Sequence, residues 1–448
     1  MSIKCKVDNL TLLERNHIVK TLQFNKKENP RFKNRQLSAT IYPYYIDNDN
    51  EFAYLPFYWA QQNIKCALRP ERESFDNNFP STFTGKLRDM QKEVKKEVIN
   101  YFNKTGCCWL SIYTGAGKTF TSINIACTVK LKTLVVCHRV NLINQWKDSI
   151  TKGCKDVIVQ ILSGVNKIDD DAQFYIINAI NVKKRDHSSY RNIGFLIVDE
   201  VHVMATGKMV EAFQYVTPRY CLALSATPYR NDGLDIVLHT YFGENKIIRT
   251  LQREHTVFKI TTKFKPDVKL NYDGSTDWGS VIQSQAKNKD RNNLIVNIIK
   301  FFKERNILVL SKRIEQIDYI VKELRSNGED VTCFKGNKQD YNPNARIMVA
   351  TISKAGVGFD HPKMDTLILA GDVEGYFIQY LGRVFRREEV HPIIFDIIDD
   401  FGSFKRHYYT RKKIYEDHGG KISTFTSLNV SKRINIDINE FNKVFQNN

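Results

Sequence analysis

Short apolar runs recur between about residues 107 and 240, and most are followed by a polar loop and a helical pattern. The clearest runs are residues 134–137, 157–162, 174–177, 195–198 and 221–224. Uninterrupted apolar runs of this length are typical of strands that are buried on both faces of a parallel sheet. The pattern predicts a doubly wound α/β domain whose ligands bind at the carboxyl ends of its strands.

A second set of the same kind begins near residue 257, with apolar runs such as 307–310, 347–350 and 393–398. Ahead of both sets, residues 41–46 and 52–56 indicate short strands around a turn. We therefore predict an α/β protein with two tandem domains and a small β-rich N-terminal domain. The predicted parts are an accessory domain (1–80, ending in a linker at 70–85), two α/β domains (81–245 and 246–402) and a basic C-terminal extension (403–448).

The composition agrees with packed domains, since the 448 residues are 42% apolar and 12% aromatic. The formal net charge of +18 favours polyanionic partners such as nucleic acid or an acidic membrane surface. The nine cysteines include no C-x-x-C pair, which argues against a zinc ribbon and for a reducing compartment. Because the sequence shows no signal peptide and no long apolar stretch, we expect a cytoplasmic protein that does not span a membrane.

Two basic segments allow two interpretations each. One precedes the tyrosine-rich strands near residue 41, and the other, residues 405–413, mixes basic and aromatic side chains. Either could bind nucleic acid through phosphate contacts and base stacking. Equally, the first could lie in a cap that packs on the next domain, and the second could be a solvated helix face.

A glycine-rich turn follows the apolar run 107–110 and ends in Gly117-Lys118-Thr119. Glycine permits backbone conformations in which successive N–H groups point at phosphate oxygens. Lys118 would then reach the β- and γ-phosphates of a nucleotide, and the Thr119 hydroxyl would be a ligand of Mg²⁺. Ile112 stands where the usual pattern has its first glycine. Upstream, the Gln91 amide, with Arg88 beside it, could recognise adenine.

Asp199 and Glu200 come directly after the predicted strand 195–198. A carboxylate in this position can hold Mg²⁺, and an adjacent glutamate can orient or deprotonate an attacking water. Because a phosphate loop lies upstream, we predict Asp199 as a metal ligand and Glu200 as the general base. Ser225 and Thr227 follow the next strand. Their hydroxyls could connect the nucleotide site to other loops, or could simply form a turn.

In the second domain, a helical segment would place Gln379, Gly382, Arg383 and Arg386 on one face. Two guanidinium groups suit an anionic phosphoryl group and can stabilise the charge that develops during its transfer. The alternative is an arginine-rich surface helix, or one that grips nucleic-acid phosphates.

Together these motifs resemble helicase superfamily 2. The resemblance covers residues 83 to about 400 and rests on 115–119, Asp199-Glu200-Val201-His202, Ser225-Ala226-Thr227, Ala350-Thr351 with Gly358 and Asp360, and 379–386. Within the superfamily the chain is most similar to translocases related to XPB and UvsW, and to helicases of phages and large DNA viruses that act on branched DNA, such as that of phage T5.

The resemblance implies two RecA-like domains and a motor that uses ATP and Mg²⁺. It implies catalytic roles for Glu200, Lys118, Arg383, Arg386 and Gln379. The nucleotide-binding residues would be Gln91, Arg88, Thr114, Gly115, Ala116, Gly117, Lys118, Thr119, Gly358 and Asp360, with Thr119 and Asp199 at the metal. The nucleic-acid track would contain His138, Arg139, Ser311, Lys312 and Thr351, and His202, Ser225 and Thr227 would couple the two sites.

The implied activity is 3′ to 5′ movement on forked, branched or single-stranded DNA by a monomeric motor in replication, recombination or repair. Two alternatives remain open from the sequence. One is an RNA-directed or transcript-releasing motor, and the other is a nucleic-acid-binding scaffold with an inactive ATP site.

Overall fold

The computed structural model describes residues 1–25, 40–76, 78–113, 115–204, 206–225, 233–336, 341–356, 361, 363–374, 377–428 and 430. The chain divides into two compact units, Met1–Arg249 and Thr250–Asn448, which are described separately. Among the helices in these ranges, none is both long and apolar enough to cross a membrane.

Unit 1 is built on a seven-stranded sheet in which all neighbouring strands are parallel. Its strands in chain order are β1 (Ser2–Lys6), β2 (Tyr45–Ile46), β3 (Phe52–Pro56), β4 (Thr82–Phe83), β5 (Cys107–Ile112), β6 (Thr133–Cys137), β7 (Cys154–Lys155), β8 (Val159–Leu162), β9 (Phe174–Asn178), β10 (Phe195–Val198), β11 (Tyr220–Ser225) and β12 (Lys246–Arg249). The order across the large sheet is β12-β5-β11-β10-β6-β9-β8.

Helices cover this sheet, and β5, β6, β9 and β10 are buried at every position. Burial on both faces explains why their sequences are uninterrupted apolar runs. The helices of unit 1 are α1 (Leu12–Thr21), α2 (Phe57–Asn63), α3 (Asp89–Lys104), α4 (Lys118–Val129), α5 (Val140–Gly153), α6 (Ala179–Val182), α7 (Val201–Met204), α8 (Gly207–Gln214) and α9 (Asp235–Phe242).

The carboxyl ends of the central strands lie level with one another. Ser225 of β11 pairs with Ser111 of β5, and Val198 of β10 pairs with Ala223 of β11. The loops that follow β5, β11 and β10 therefore meet at one edge of the sheet, which is where the sequence predicts the ligand.

The predicted β-rich N-terminal segment is an antiparallel sheet of order β1-β3-β2. Its apolar side chains share one continuous core with the large sheet, from Met1 to Phe242. The Gln214 amide also donates hydrogen bonds to the carbonyl oxygens of Tyr42 and Tyr44, at 3.0 and 3.2 Å. The segment is therefore integrated into unit 1, which differs from the separate 1–80 domain expected.

The predicted linker at residues 70–85 is likewise tied to unit 1. Phe75 and Phe79 are buried, β4 pairs with β7, and the Ser81 hydroxyl donates to the carbonyl oxygen of Asp156 at 2.8 Å. Although the segment is polar in composition, it is not a flexible linker, because the two phenylalanines anchor it to unit 1.

Unit 2 contains a second seven-stranded parallel sheet, of order β17-β18-β16-β19-β20-β13-β21. Its strands are β13 (His255–Thr261), β14 (Lys269–Leu270), β15 (Thr276–Asp277), β16 (Ile307–Ser311), β17 (Val331–Phe334), β18 (Ile347–Thr351), β19 (Thr366–Leu369), β20 (Ile393–Ile398) and β21 (Gly420–Thr426). Its helices are α10 (Trp278–Lys287), α11 (Lys289–Phe301), α12 (Ile314–Ser326), α13 (Ile352–Gly356), α14 (Phe377–Val384) and α15 (Gly402–Asp417).

Two predicted boundaries differ from the structure. The division between the α/β domains falls after Arg249 instead of after residue 245, because β12 adds to the edge of the first sheet. The predicted extension at 403–448 begins inside unit 2, because β21 pairs with β13 and α15 is anchored by a buried arginine. That arginine, Arg411, contacts Asp396 at 2.8 Å and Asp372 at 3.3 Å.

Candidate functional site

The predicted phosphate loop connects β5 to α4. Gly115 and Gly117 have φ angles of +88° and +86°, in the left-handed region that favours glycine. A Cβ atom at position 117 would also lie 2.2 Å from Nε2 of Gln91. Ile112 is the last residue of β5, and its carbonyl oxygen accepts a hydrogen bond from Lys118 Nζ at 2.9 Å. Thr114 lies outside the described residues.

Gln91 and Arg88 brace this loop from the first turn of α3. The Gln91 Oε1 atom accepts from the Arg88 N–H at 2.8 Å, and its Nε2 atom donates to the carbonyl oxygen of Ala116 at 2.8 Å. Arg88 donates to the carbonyl oxygen of Gly115 at 3.2 Å. An amide has two N–H groups and two lone pairs, so one of each remains for a base. The predicted adenine contact is compatible with this arrangement and stays a prediction.

Asp199 follows β10 and is buried. The Trp146 indole N–H donates to its Oδ2 atom at 2.8 Å, and the Glu200 N–H donates to Oδ1 at 3.0 Å. Burial, reinforced by the charge of Glu200, raises the pKa of Asp199 to about 6, against the opposing effects of the Trp146 hydrogen bond and of Lys118. A cation at this carboxylate would stabilise its ionised form.

Glu200, His202 and Ser225 form a contact chain at the carboxyl end of β10 and β11. His202 Nδ1 lies 3.4 Å from Glu200 Oε2 and 2.8 Å from Ser225 Oγ, and the imidazole is buried. The backbone of Glu200 has a φ of +49°, which is uncommon for a residue with a side chain. The structure therefore brings together two of the predicted coupling residues, while Thr227 lies outside the described residues.

The residues at this edge fit a magnesium nucleotide. The loop is shaped by left-handed glycines, and the twelve-residue helix α4 begins at Lys118, so its positive end faces the loop. The Thr119 hydroxyl and the Asp199 carboxylate are oxygen ligands of the kind that Mg²⁺ prefers. Burial and the charge of Glu200 raise the pKa of Asp199, and a bound cation would stabilise its ionised form.

In unit 2 the helix α14 carries Gln379, Gly382 and Arg383 but ends at Val384. Arg386 therefore lies beyond the helix, and the predicted shared face of four residues is wrong for this arginine. The guanidinium of Arg253 donates to the carbonyl oxygens of Phe385 and Arg387, and to that of Val390 at 2.7 Å. Arg253 thus holds the backbone on either side of Arg386.

The predicted nucleic-acid track lies at carboxyl ends of strands in both units. His138 and Arg139 follow β6, Lys312 follows β16 and Thr351 ends β18. Burial lowers the pKa of His138 to about 4, so its imidazole is neutral. Gly358 and Asp360 lie outside the described residues.

Ser311 does not fit the predicted track. Its side chain is fully buried, its hydroxyl lies 2.6 Å from Gln316 Oε1, and it accepts from the Arg313 N–H at 3.1 Å. This hydroxyl orders the start of α12 instead of facing a nucleic-acid strand.

Sequence reasoning missed Trp146 and Arg253. Trp146 stands in the apolar pattern of α5, where an indole is expected to pack in the core, and nothing in that pattern indicates that its N–H meets a carboxylate. Arg253 is one of many basic residues, and its three acceptors lie more than 130 positions away along the chain.

Residues 84–230 match the family model described as the res subunit of type III restriction enzymes. A protein of Invertebrate iridescent virus 6 that is named a helicase (161L) is 40% identical over 406 residues, covering 84% of this chain and 90% of the relative. A mimivirus protein named an ATP-dependent RNA helicase (L396) is 27% identical and covers 84% and 76%. A helicase-named protein of Escherichia phage T5 (D10) is 24% identical and covers 71% and 74%.

Among solved structures, yeast Dbp5 bound to RNA and ADP BeF3 aligns with a TM-score of 0.54 and 11% identity, covering 77% of this chain and 92% of that one. This likeness supports the fold of two RecA-like domains. With an iridescent virus relative matched at 40% identity over nine-tenths of its length, the resemblance stated from the motifs is confirmed: the chain belongs to the superfamily 2 helicases, together with helicases of phages and large DNA viruses.

Proposed function

We propose that this protein is an ATP-driven motor that moves 3′ to 5′ along nucleic acid and unwinds or branch-migrates forked and branched DNA. The observation that carries the proposal is the contact chain from Glu200 through His202 to Ser225, at 3.4 and 2.8 Å. It links the carboxylate that would act on a nucleotide to the end of β11, the strand between β5 and β10. A conformational change at the nucleotide can therefore be transmitted through His202 to the end of β11.

The nucleotide chemistry follows from the residues at this edge. Lys118 and the N–H groups of the phosphate loop would bind the phosphates. Thr119 and Asp199 would hold Mg²⁺, and this cation would offset the negative charge of the phosphates. Glu200 would accept the proton of the attacking water. From the second unit, Arg383 and Arg386 would stabilise the charge that develops on the phosphoryl group, and Gln379 would assist them.

The nucleic acid would be held by its phosphates, at Arg139 and the neutral His138 in unit 1 and at Lys312 and Thr351 in unit 2. Contacts of this type carry no sequence information, so the motor should be indifferent to sequence. They also release counterions, so binding should weaken steeply as salt increases. The net charge of +18 supports this type of partner.

The test compares wild type with Glu200→Gln in ATP hydrolysis and in separation of a labelled fork. Forked DNA should stimulate wild-type hydrolysis, and Glu200→Gln should lower kcat at least 10²-fold while ATP still binds, because general-base catalysis contributes about 10²–10⁴. Glu211→Gln, an exposed glutamate of the same unit, is the matched control and should behave as wild type. A wild-type protein that hydrolyses no ATP with any nucleic acid would exclude a motor and leave a binding scaffold.

RNA is the second candidate substrate, because the mimivirus relative is named an RNA helicase. The same assay separates the two when forked DNA, single-stranded DNA and single-stranded RNA are compared at equal nucleotide concentration. If only RNA stimulates ATP hydrolysis, RNA and not DNA is the substrate, and the proposed chemistry of the nucleotide site is unchanged.

A further inference from the structure

Two cysteine thiols of unit 1 are in direct contact. The Sγ atoms of Cys127 and Cys154 lie 3.6 Å apart, although the two residues are 27 positions apart in sequence. Cys127 lies in the last turn of α4, and Cys154 is the first residue of β7. Both thiols are free in this structure. To form a disulfide bond, the two sulfur atoms would have to approach each other by roughly 1.5 Å.

The two strands β4 and β7 pair as a short ribbon, and one face of α4 packs along this ribbon. Phe120, near the start of α4, meets the ring of Phe83 edge-on, with the ring centroids 6.5 Å apart. A Cβ atom at Gly153 would lie 3.3 Å from the ring of Phe120. Because Phe120 and Cys127 are seven positions apart, they share one face of the helix. The ribbon therefore contacts α4 through Phe120 near its start and through Cys127 near its end.

The contact makes the two thiols chemically unequal. A hydrogen bond from Cys127 lowers the pKa of Cys154, against the opposing effect of burial. The same contact, reinforced by burial, raises the pKa of Cys127. Cys154 therefore ionises first, and the thiolate is the form that reacts with an oxidant. In contrast, burial and the neighbouring Cys66 raise the pKa of Cys5 to about 12, which disfavours its thiolate. The contact between Cys127 and Cys154 is only partly buried, so a small oxidant can reach it.

We propose that Cys127 and Cys154 are a redox modification site, at which a peroxide forms a reversible disulfide bond that fixes α4 on the ribbon. The Cys154 thiolate attacks one peroxide oxygen, which breaks the O–O bond and gives a sulfenic acid and hydroxide. The Cys127 sulfur then attacks the Cys154 sulfur, the S–S bond forms, and the second hydroxide leaves. The protons of the two thiols convert both hydroxides to water. Both sulfurs are oxidised, one peroxide is reduced to two water molecules, and a thiol reductant reverses the change.

The bond would act on the helix that carries the predicted phosphate loop, since α4 begins at Lys118. Because the ribbon already contacts both ends of α4, closure of the bond holds the helix where it lies. The bond also restricts the unfolded chain between Cys127 and Cys154, which is a stabilising effect. The unfolding temperature of unit 1 should therefore rise by about 5–15 °C on oxidation. This inference does not depend on which nucleic acid the motor uses.

The test compares the full-length protein before and after treatment with hydrogen peroxide. Peptide mapping by mass spectrometry without reductant should find the peptides of Cys127 and Cys154 joined, with the loss of two hydrogen atoms. Calorimetry should show the rise in unfolding temperature, and dithiothreitol should reverse it. Cys127→Ser should show neither the joined peptides nor the rise. Cys66→Ser is the matched control, because it changes another half-buried cysteine of unit 1, and it should behave as wild type.

Two results would overturn the inference: sulfinic acid on either cysteine of wild type without joined peptides, or an equal rise in unfolding temperature in Cys127→Ser. If Cys127→Ser does not fold, Cys154→Ser replaces it and the same results decide. A fluorescent ATP analogue should bind oxidised and reduced wild type equally. Weaker binding after oxidation would show that the bond displaces the phosphate loop and does not hold α4 in place. Absence of binding in both states would instead overturn the proposed nucleotide site.

Discussion

Asp199 is a carboxylate whose protonation is set by its neighbours. Burial raises its pKa to about 6, while the indole N–H of Trp146 stabilises the ionised form from 2.8 Å away. The carboxylate must be ionised to bind a divalent cation, so Trp146 favours the state that the predicted chemistry needs. We infer that Trp146 is a positioning residue for the metal ligand, although it makes no contact with substrate itself.

Trp146→Phe should keep an aromatic side chain at this buried position and lose the hydrogen bond. A hydrogen bond to a charged group contributes about 1.5–3 kcal/mol, so kcat for ATP should fall roughly 10- to 100-fold and the Mg²⁺ concentration for half-maximal activity should rise. The matched control is Trp109→Phe, because Trp109 is equally buried and its Nε1 atom has no hydrogen-bond partner in the described residues. If both variants show the same Mg²⁺ requirement as wild type, the hydrogen bond does not position Asp199.

The conformation of the phosphate loop depends on glycine at position 117. Gly117→Ala would introduce both a strained left-handed backbone and a Cβ atom 2.2 Å from Gln91 Nε2. Nucleotide affinity, measured by titration with a fluorescent ATP analogue, should fall at least tenfold, because the loop must open away from α3.

Gly328→Ala is the matched control, since Gly328 has a φ of +77° but nothing within 4 Å of its Cβ position. It should cost about 1–2 kcal/mol of stability through backbone strain and leave nucleotide affinity unchanged. The double variant Gly117→Ala with Gln91→Ala removes the atom that the new Cβ would meet. Because Gln91 is itself predicted to bind the nucleotide, the comparison is with Gln91→Ala alone: if Gly117→Ala lowers the affinity as much in the Gln91→Ala background as in wild type, contact with Gln91 is not the cause.

Secondary-structure elements can be predicted from the sequence where one interaction, such as burial on both faces of a sheet, determines the residue pattern. The central strands of both sheets were predictable because burial on both faces demands continuous apolar residues. The positions of Lys118 and Asp199 beyond the carboxyl ends of such strands were predictable for the same reason, while the chemical roles of these residues stay predictions. β21 was missed because it is an edge strand, half-buried, with polar residues along its length. The end of α14 before Arg386 was missed because the carbonyl groups that follow it are held by Arg253, a contact distant in sequence.

At the scale of the whole molecule, half-buried and buried histidines in the two units make stability depend on pH. Burial lowers the pKa of His138 and His187 in unit 1, and of His255 in unit 2, to about 4 in each case. Histidine in an unfolded chain has a pKa near 6.5. Between these two values the unfolded chain binds more protons than the folded one, so stability is fully present above pH 6.5 and is lost as the pH falls towards 4.

His187 offers the clearest test of this dependence, because its ring is stacked against Tyr54 and Tyr215, with centroids 3.9 and 4.7 Å apart. The N-terminal amine and Lys4 add to the effect of burial on its pKa, whereas Asp186 and Asp47 oppose it. His187→Phe should keep the stack and remove the proton uptake. Its unfolding temperature should therefore decrease less between pH 7 and pH 5 than that of wild type, by about 2–8 °C for roughly 1–2 kcal/mol.

The control is His17→Phe, which changes an exposed histidine of the same unit that stacks on Trp59. This variant controls for the replacement of a stacked imidazole by a phenyl ring at the surface of the same unit. Differential scanning calorimetry of the three proteins at four pH values between 5 and 7 measures the difference directly. The prediction is wrong if the unfolding temperatures of wild type and His187→Phe decrease equally between pH 7 and pH 5. The imidazole would then take up a proton while it stays in the tyrosine stack, and the acid sensitivity of this unit would come from its other titratable groups.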